Sequence, residues 1–545
     1  MLWAGGVRER ARLSGRPDGP GQCLAERSRV QAKLFVRLSL PLGANACPEP
    51  SGSLPHSPPY SYEEVNSLEI FSKLNQLLFP HAGEYEKLGP KKALTLGFQH
   101  AFAMSCATIL VPLLTGLDVG VALFCAGCGT LIFHLCTGGR MPTFLGSSFA
   151  FISALCGVIG NTAFGETKDE QVAAAMGGII TAGLFYLLLA LIIRLFGKGL
   201  IDKLFPPVVR GVGITLIGLN LASSAINNIQ TQYGPDGAAL SPFAKGYDMR
   251  TYVWAWVLAA VVCLTAVVLS SCGRGMVKMS SIVIALVGGY VLSLIVTKTG
   301  LAPASLMNTG IIADYGWLQA PHFVLPKFNI TAIGMIAPIA IVTCVEHVGD
   351  VYANGAVVGK DFTEKPGLHR TMMGDGLATV FAGLVGGPPN TTYSENTAVL
   401  AATGNYNPAS LRIAAVIAIG VSFLGKAIGV IQSVPNCVLG GACIVLYGMI
   451  ASVGLRTLVE NHVDFTKNRN LCIAAVMLVL AIGGAVIGNA VFSFSNIGLG
   501  IIVGIILNLV IPNIEPDDPG LVAHSVDKSE IVPEKNAGKK QSKKR

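Results

Sequence analysis

Two stretches place ionisable side chains where the surrounding sequence is apolar: Cys344-Val-Glu346-His347-Val-Gly-Asp350 and Gly386-Gly-Pro388-Pro-Asn390-Thr-Thr-Tyr393-Ser-Glu395-Asn396. A carboxyl group at membrane depth costs at least a few kcal/mol, so such residues mark a ligand site or transport path by default. Glu346 offers two acceptor oxygens, which suit paired N–H donors of a planar heterocycle. The alternative is a solvated helix-end acid, but the run Ile333 to Val345 leading into it is apolar. Asp350 lies one helical turn further and shares a face with Glu346. Two such carboxylates repel when both are ionised, so Asp350 reads either as a proton-coupling residue or as the wet end of the helix. His347 points elsewhere and reads as packing.

Glu395 opens a short helical run after Pro388-Pro389. A helix start there would present free backbone N–H groups to substrate oxygens beside the acid. Asn396 and Thr403 read as fixing this half-helix. Phe149 and Tyr393 sit at the two breaks in the apolar pattern and could hold a flat ring between them. Gln99 and His100, a polar pair in the first apolar run, either reach the site or bridge helices. Tyr447 either hydrogen-bonds a site carboxylate or packs.

The elements that must position these residues are membrane spans. Of the 545 residues, 52% are hydrophobic and 13% charged, against about 25% charged in soluble proteins. The formal charge of +8 sits at the chain ends and in short loops, so no nucleic-acid partner is expected. About fourteen apolar segments follow one another, most near the roughly 20 residues needed to span. The third (144–160) and tenth (390–403) are short and rich in Gly, Pro, Ser and Thr. Each reads as an extended piece feeding a half-helix. The eighth is expected over 330–349 and the eleventh over 408–428. Pro206-Pro-Val-Val-Arg-Gly211 and Pro435-Asn-Cys-Val-Leu-Gly440 open segments five and twelve alike. Seven segments repeated once must be inverted, and matched broken segments point to a transporter site. The expected fold class is therefore all-α and polytopic, with two inverted seven-segment repeats and short strands in segments three and ten.

Residues 1–85 read as a disordered or cytoplasmic extension, its first 60 or so as disordered and Arg-rich, either a targeting segment or the product of a start assigned too far upstream. Residues 86–515 read as the transporter unit, and 516–545 as a basic tail. Lys and Arg concentrate in alternate loops, at Arg140, Arg194, Lys198, Lys203, Arg274, Lys360, Lys365 and Arg456, which places both termini in the cytoplasm. Enzyme readings fail on spacing. The reversed zinc motif would need a His at Thr343, and no phosphate loop occurs. Cys125 and Cys128 are a lone pair on an apolar run and read as packing, so no metal or disulfide framework is expected.

At these residues the chain resembles the nucleobase–ascorbate transporter family, and within it the bacterial uracil and xanthine permeases. The likeness covers roughly residues 85 to 515. It includes Gly97-Phe-Gln99-His100, Ala107-Thr-Ile-Leu-Val-Pro112, Leu145-Gly-Ser-Ser-Phe149, Glu346-His-Val-Gly, Pro366-Gly-Leu-His-Arg370 and Asn390-Thr-Thr-Tyr-Ser-Glu-Asn396. The resemblance implies a core domain of segments 1–4 and 8–11 and a gate domain of segments 5–7 and 12–14. It also implies a homodimer, an elevator movement and proton symport without other cofactors. It assigns Glu346 and Glu395 to the base, Phe149 and Tyr393 to its faces, and the Ser394 backbone to a further contact. Two departures bear on specificity. Ala398 replaces the signature Gly, adding a methyl group at an expected packing position. Asp350 replaces the His of uracil permeases and matches purine relatives. Uracil import is the expected activity, with xanthine as the alternative. An anion transporter of the same architecture, and a channel or receptor, are the remaining rivals.

Overall fold

The computed structural model describes residues 79, 85, 88–233, 239–240, 246–488 and 493–512. The expected extension over 1–85, apart from Phe79 and Tyr85, and the tail over 516–545 lie outside the described residues. Among the described residues, eight helices are long and apolar enough to cross a membrane. They are α1 (Pro90–Thr115), α2 (Val119–Thr137), α4 (Lys168–Phe196), α5 (Pro207–Gln230), α6 (Met249–Cys272), α7 (Ser281–Lys298), α8 (Ile330–Val358) and α13 (Asn436–Glu460). Further helices are α3 (Ile152–Val158), α9 (Leu368–Val385), α10 (Ser394–Thr403), α11 (Ala409–Ser422), α12 (Gly425–Gln432), α14 (Asn468–Ile482) and α15 (Asn496–Val510), with short helical pieces at Lys198–Leu204 and Met276–Met279. The protein is thus mostly helical and multi-pass.

Local sequence sets the helix ends. Pro90 opens α1 with a preset φ and no N–H to leave unpaired. Gly116 closes it at φ 79°, a left-handed conformation that costs glycine little. Asp118 then caps α2, its side chain accepting from the Val121 N–H at 2.8 Å.

Segments three and ten are broken as the sequence indicates. Strands β1 (Leu145–Ser147) and β2 (Asn390–Thr392) pair antiparallel, with Leu145 opposite Thr392 and Ser147 opposite Asn390. The unwound chain pairs backbone groups across the two breaks, as backbone at membrane depth requires. The Ser148 N–H donates to the Pro389 carbonyl at 2.8 Å, and the Tyr393 N–H to the Phe144 carbonyl at 3.0 Å. Side chains from neighbouring helices complete the job. The Leu145 N–H donates to Thr130 Oγ1 at 2.9 Å, and Thr379 Oγ1 donates to the Asn390 carbonyl at 3.1 Å. Short helices leave both strands: a 3-10 turn at Phe149–Phe151 leads into α3, and α10 starts at Ser394.

Helices α1, α2, α4, α9 and α11 pack on one another, and α10 lies between α1 and α8. Helices α5, α6, α7, α13, α14 and α15 form a second packed group. Helix α8 touches both, meeting α5 and α15 as well as α9, α10 and α4. Glycines allow the close crossings. A Cβ at Gly218 would stand 2.4 Å from the Tyr447 carbonyl, and one at Gly454 would stand 2.3 Å from the Thr215 nitrogen. Helices α5 and α13, the two Pro-initiated runs, therefore cross in opposite directions.

The eleventh segment departs from expectation. Residues 408–428 do not make one straight span: α11 and α12 meet at 85°. The Phe423 carbonyl accepts from the Gln319 N–H at 2.9 Å instead of from the next helical turn. Leu424 is non-helical (φ −86°, ψ 83°), so the helix axis turns there.

Candidate functional site

Helix α8 presents three polar side chains at helical spacing toward the strand crossing: Glu346, Asp350 and Asn354. Asp350 accepts two hydroxyl hydrogen bonds, from Thr392 Oγ1 to Oδ2 at 2.7 Å and from Ser394 Oγ to Oδ1 at 2.8 Å. Both of its oxygens are engaged, one by the end of β2 and one by the start of α10. Its geometry is that of a tether between α8 and the broken segment. Asn354, one turn on and fully buried, donates from Nδ2 to the Pro142 carbonyl at 2.7 Å. The same nitrogen lies 3.2 Å from Thr397 Oγ1. Helix α8 thereby holds the chain before β1 and the chain after β2 together.

Glu346 differs from its neighbours. Its Oε2 is sealed from solvent and has no hydrogen-bond partner among the described residues. Asp350, Asp375 and Glu395 all lie within its electrostatic reach. Glu395 is half-buried in the first turn of α10, so the two acids approach the site from different helices. An unpartnered buried carboxylate oxygen is costly, and a donor group is what this one lacks among the described residues.

The aromatic residues close the same region. Tyr393 is buried, and its hydroxyl donates to the Ser147 carbonyl at 2.9 Å. Thr108 Oγ1 lies 3.4 Å from that hydroxyl. A Cβ at Gly146 would stand 2.4 Å from Tyr393 Cε2 and Cζ, so the ring rests on β1 and needs glycine there. Phe149 meets Tyr447 edge-on, with ring centroids 6.0 Å apart and planes at 78°. The Tyr447 hydroxyl is buried without a hydrogen bond among the described residues. Phe149 and Tyr447 thus make a contact between the two helix groups beside the site.

The other candidates divide. His100 is fully buried and bridges α1 to α10: Asn396 Nδ2 donates to the His100 carbonyl at 3.2 Å and lies 3.3 Å from His100 Nδ1. Gln99 is buried on the same helix. Thr403 donates to the Val399 carbonyl of its own helix at 2.8 Å, at the far end of α10 from Ser394. Ala398 is exposed on α10, so its methyl group does not occupy the packing position expected for it. His347 is fully buried and sits with Nδ1 3.0 Å from Asp375 Oδ2. Asp375 and Asn354 were not singled out by the sequence reading. Asp375 was the more findable of the two, being an acid in the apolar ninth segment. Asn354 carried no signal beyond its eight-residue spacing from Glu346.

A family model described as a permease family, the xanthine/uracil permeases, matches residues 91–489. The uracil permease of Bacillus subtilis is 40% identical over 431 residues, covering 78% of this chain and 93% of its own. That of Bacillus caldolyticus is 42% identical over 426 residues, covering 77% and 92%. The putative pyrimidine permease of Escherichia coli is 36% identical, covering 78% and 91%. Among solved structures, the murine solute carrier 26 member A9 anion transporter, in its inward-facing state, is 14% identical with a TM-score of 0.55. The match covers 85% of this chain and 76% of that one. The transmembrane domain of a cyanobacterial bicarbonate transporter is 16% identical with a TM-score of 0.50, covering 76% and 96%. These two show a shared fold alone. With matches of this extent to the family model and to its members, the chain belongs to the xanthine/uracil permeases of the nucleobase–ascorbate transporter family.

Proposed function

We propose that this protein imports uracil with a proton, by an elevator movement of one helix group against the other. The observation that carries the reading is Glu346 Oε2, a buried acceptor without a partner among the described residues, set beside the strand crossing and the start of α10. A pyrimidine base offers N–H groups to Glu346 and Glu395. Its carbonyl oxygens face the free N–H groups at the α10 terminus around Ser394. Phe149 and Tyr393 bracket the ring, and Tyr447 closes the edge near Phe149. Relatives at about 40% identity that are named uracil permeases support uracil.

In this reading α1–α4 and α8–α12 form the moving core, and α5–α7 with α13–α15 form the gate, the chain making fourteen passes in two inverted repeats. Antiparallel pairing of β1 with β2 and the opposed crossing of α5 with α13 support the inversion. Both termini lie in the cytoplasm and two copies associate through the gate. Protons serve as the coupling ion, and no other cofactor takes part.

Xanthine is the second reading, favoured by Asp350. An anion substrate is disfavoured, although the fold is shared with anion transporters, because acids rather than cations stand at the α10 start. The test is uptake of labelled uracil and labelled xanthine into cells lacking their own permeases, with and without a protonophore. Uracil uptake abolished by the protonophore is the expected result. Xanthine uptake alone would reassign the substrate, and uptake of neither would overturn the reading.

A further inference from the structure

The His347–Asp375 contact lies behind the substrate carboxylates and is used by none of the steps above. Both side chains are wholly shielded from solvent, at 0% exposure each. The hydrogens can be counted. Thr371 donates its hydroxyl hydrogen to the Leu368 carbonyl at 3.0 Å. With that hydrogen so directed, His347 Nε2, 3.1 Å from Thr371 Oγ1, is the donor in that contact. This leaves Nδ1 facing Asp375 Oδ2 at 3.0 Å. Two bare acceptors at that separation would repel, so one proton lies between them, on the imidazole or on the carboxyl. The alignment falls short of a full hydrogen bond, and neither Asp375 oxygen has a well-directed donor among the described residues.

Among the described residues, no cation other than His347 itself acts on Asp375. Tyr186 reaches it from α4, and Cys344, Glu346 and Asp350 reach it from α8. On the α2 side, Phe133 stands 6.5 Å from the His347 ring, while His134 turns away to the Thr143 carbonyl. From β2 the polar neighbour of α9 is the Asn390 amide, which donates to the Ala378 carbonyl. Removing the shared proton would therefore leave a bare carboxylate in an apolar, uncompensated place.

We propose that His347 and Asp375 together form a proton-binding site, separate from the acids that hold the base. Glu346 and Asp375 are electrostatic neighbours. Glu346 accepts base N–H groups best as an anion, and two anions this close inside the protein oppose each other. The pair must then keep its proton while Glu346 holds substrate. By linkage, proton occupancy at the pair strengthens base binding, and base binding strengthens proton occupancy. The proton enters from outside water and leaves to inside water, with no other bond made or broken. This assignment rests on the proton-symport reading above.

The test uses the full-length protein in vesicles, with uracil as the probe. It compares wild type with Asp375→Asn and His347→Gln in two assays: uracil exchange at equal concentrations, and uracil-driven proton entry read by an internal pH dye. The expected result is exchange retained and proton entry lost in Asp375→Asn. If wild type itself takes up uracil without proton entry, the symport reading fails and takes this one with it. If wild type moves protons and Asp375→Asn does so at the same proton-to-uracil ratio, only the pair assignment is overturned. Should Asp375→Asn be inert in both assays, His347→Gln decides. Exchange without proton entry supports the site; a wild-type ratio overturns it. Loss of exchange in both variants assigns the pair to packing and overturns it as well.

Discussion

The carboxylates Glu346 and Asp350 stand one helical turn apart yet have opposite bonding states. Asp350 spends both oxygens on Thr392 and Ser394, whereas Glu346 Oε2 has no partner among the described residues. Replacing Glu346 by Gln removes the charge-assisted acceptor for the base. Loss of about 1.5–3 kcal/mol, or roughly one to two decades in uracil affinity, is expected; unchanged uptake and binding would refute its role. Asp350→Ala strands two hydroxyls and unties α10. It is expected to lower thermal stability in detergent as well as affinity, while Glu346→Gln leaves stability near wild type. Melting curves with and without uracil separate the two. The swap of His for Asp at this position therefore bears on how α10 is held, through Ser394, as well as on which base is taken.

The strand crossing is the element on which the site depends, and its tolerances are tight. The Tyr393 ring is fixed at both ends, by its hydroxyl on Ser147 and by its backbone N–H on Phe144, so it cannot swing away from an added methyl group. Gly146→Ala would push a Cβ to 2.4 Å from that ring. Overpacking of this kind costs about 1–3 kcal/mol, and uracil affinity is expected to fall with it. Gly288→Ala, where a Cβ meets nothing within 4 Å, is the control and is expected to transport normally. Asn354→Ala would release the Pro142 carbonyl and loosen both broken segments. Its expected signature is a raised KM with protein still inserted, measured by concentration-dependent uptake.

At the scale of the whole molecule, the proposed movement slides one helix group past the other. Gly349 on α8 and Ile214 on α5 face each other across the boundary, with a Gly349 Cβ placed 3.3 Å from Ile214 Cδ1. A cysteine at each position, joined by a short thiol cross-linker, is expected to abolish uracil uptake, and a reducible cross-linker is expected to give it back on reduction. Uptake that persists with the link formed would rule out an elevator movement along this boundary.

The sequence by itself determined the material and the interruptions. Apolar runs and sparse charge specify a multi-pass helical protein, because unpaired backbone groups cannot be tolerated in lipid. Pro, Gly and β-prone Thr and Tyr specify where segments three and ten unwind, since those propensities are local. The ordered motifs, Glu346-His-Val-Gly and Asn390 to Asn396 among them, specify the family. What the tertiary structure decided was partnership. The 85° turn between α11 and α12 has no proline to announce it and depends on a carbonyl captured by Gln319, a hundred residues away in the chain. Whether a buried acid is tethered like Asp350, shares a proton contact like Asp375, or stands open like Glu346 depends on side chains from other helices. Sequence spacing along one helix carries no information about those, because hydrogen-bond partners across helices are set only when the helices pack.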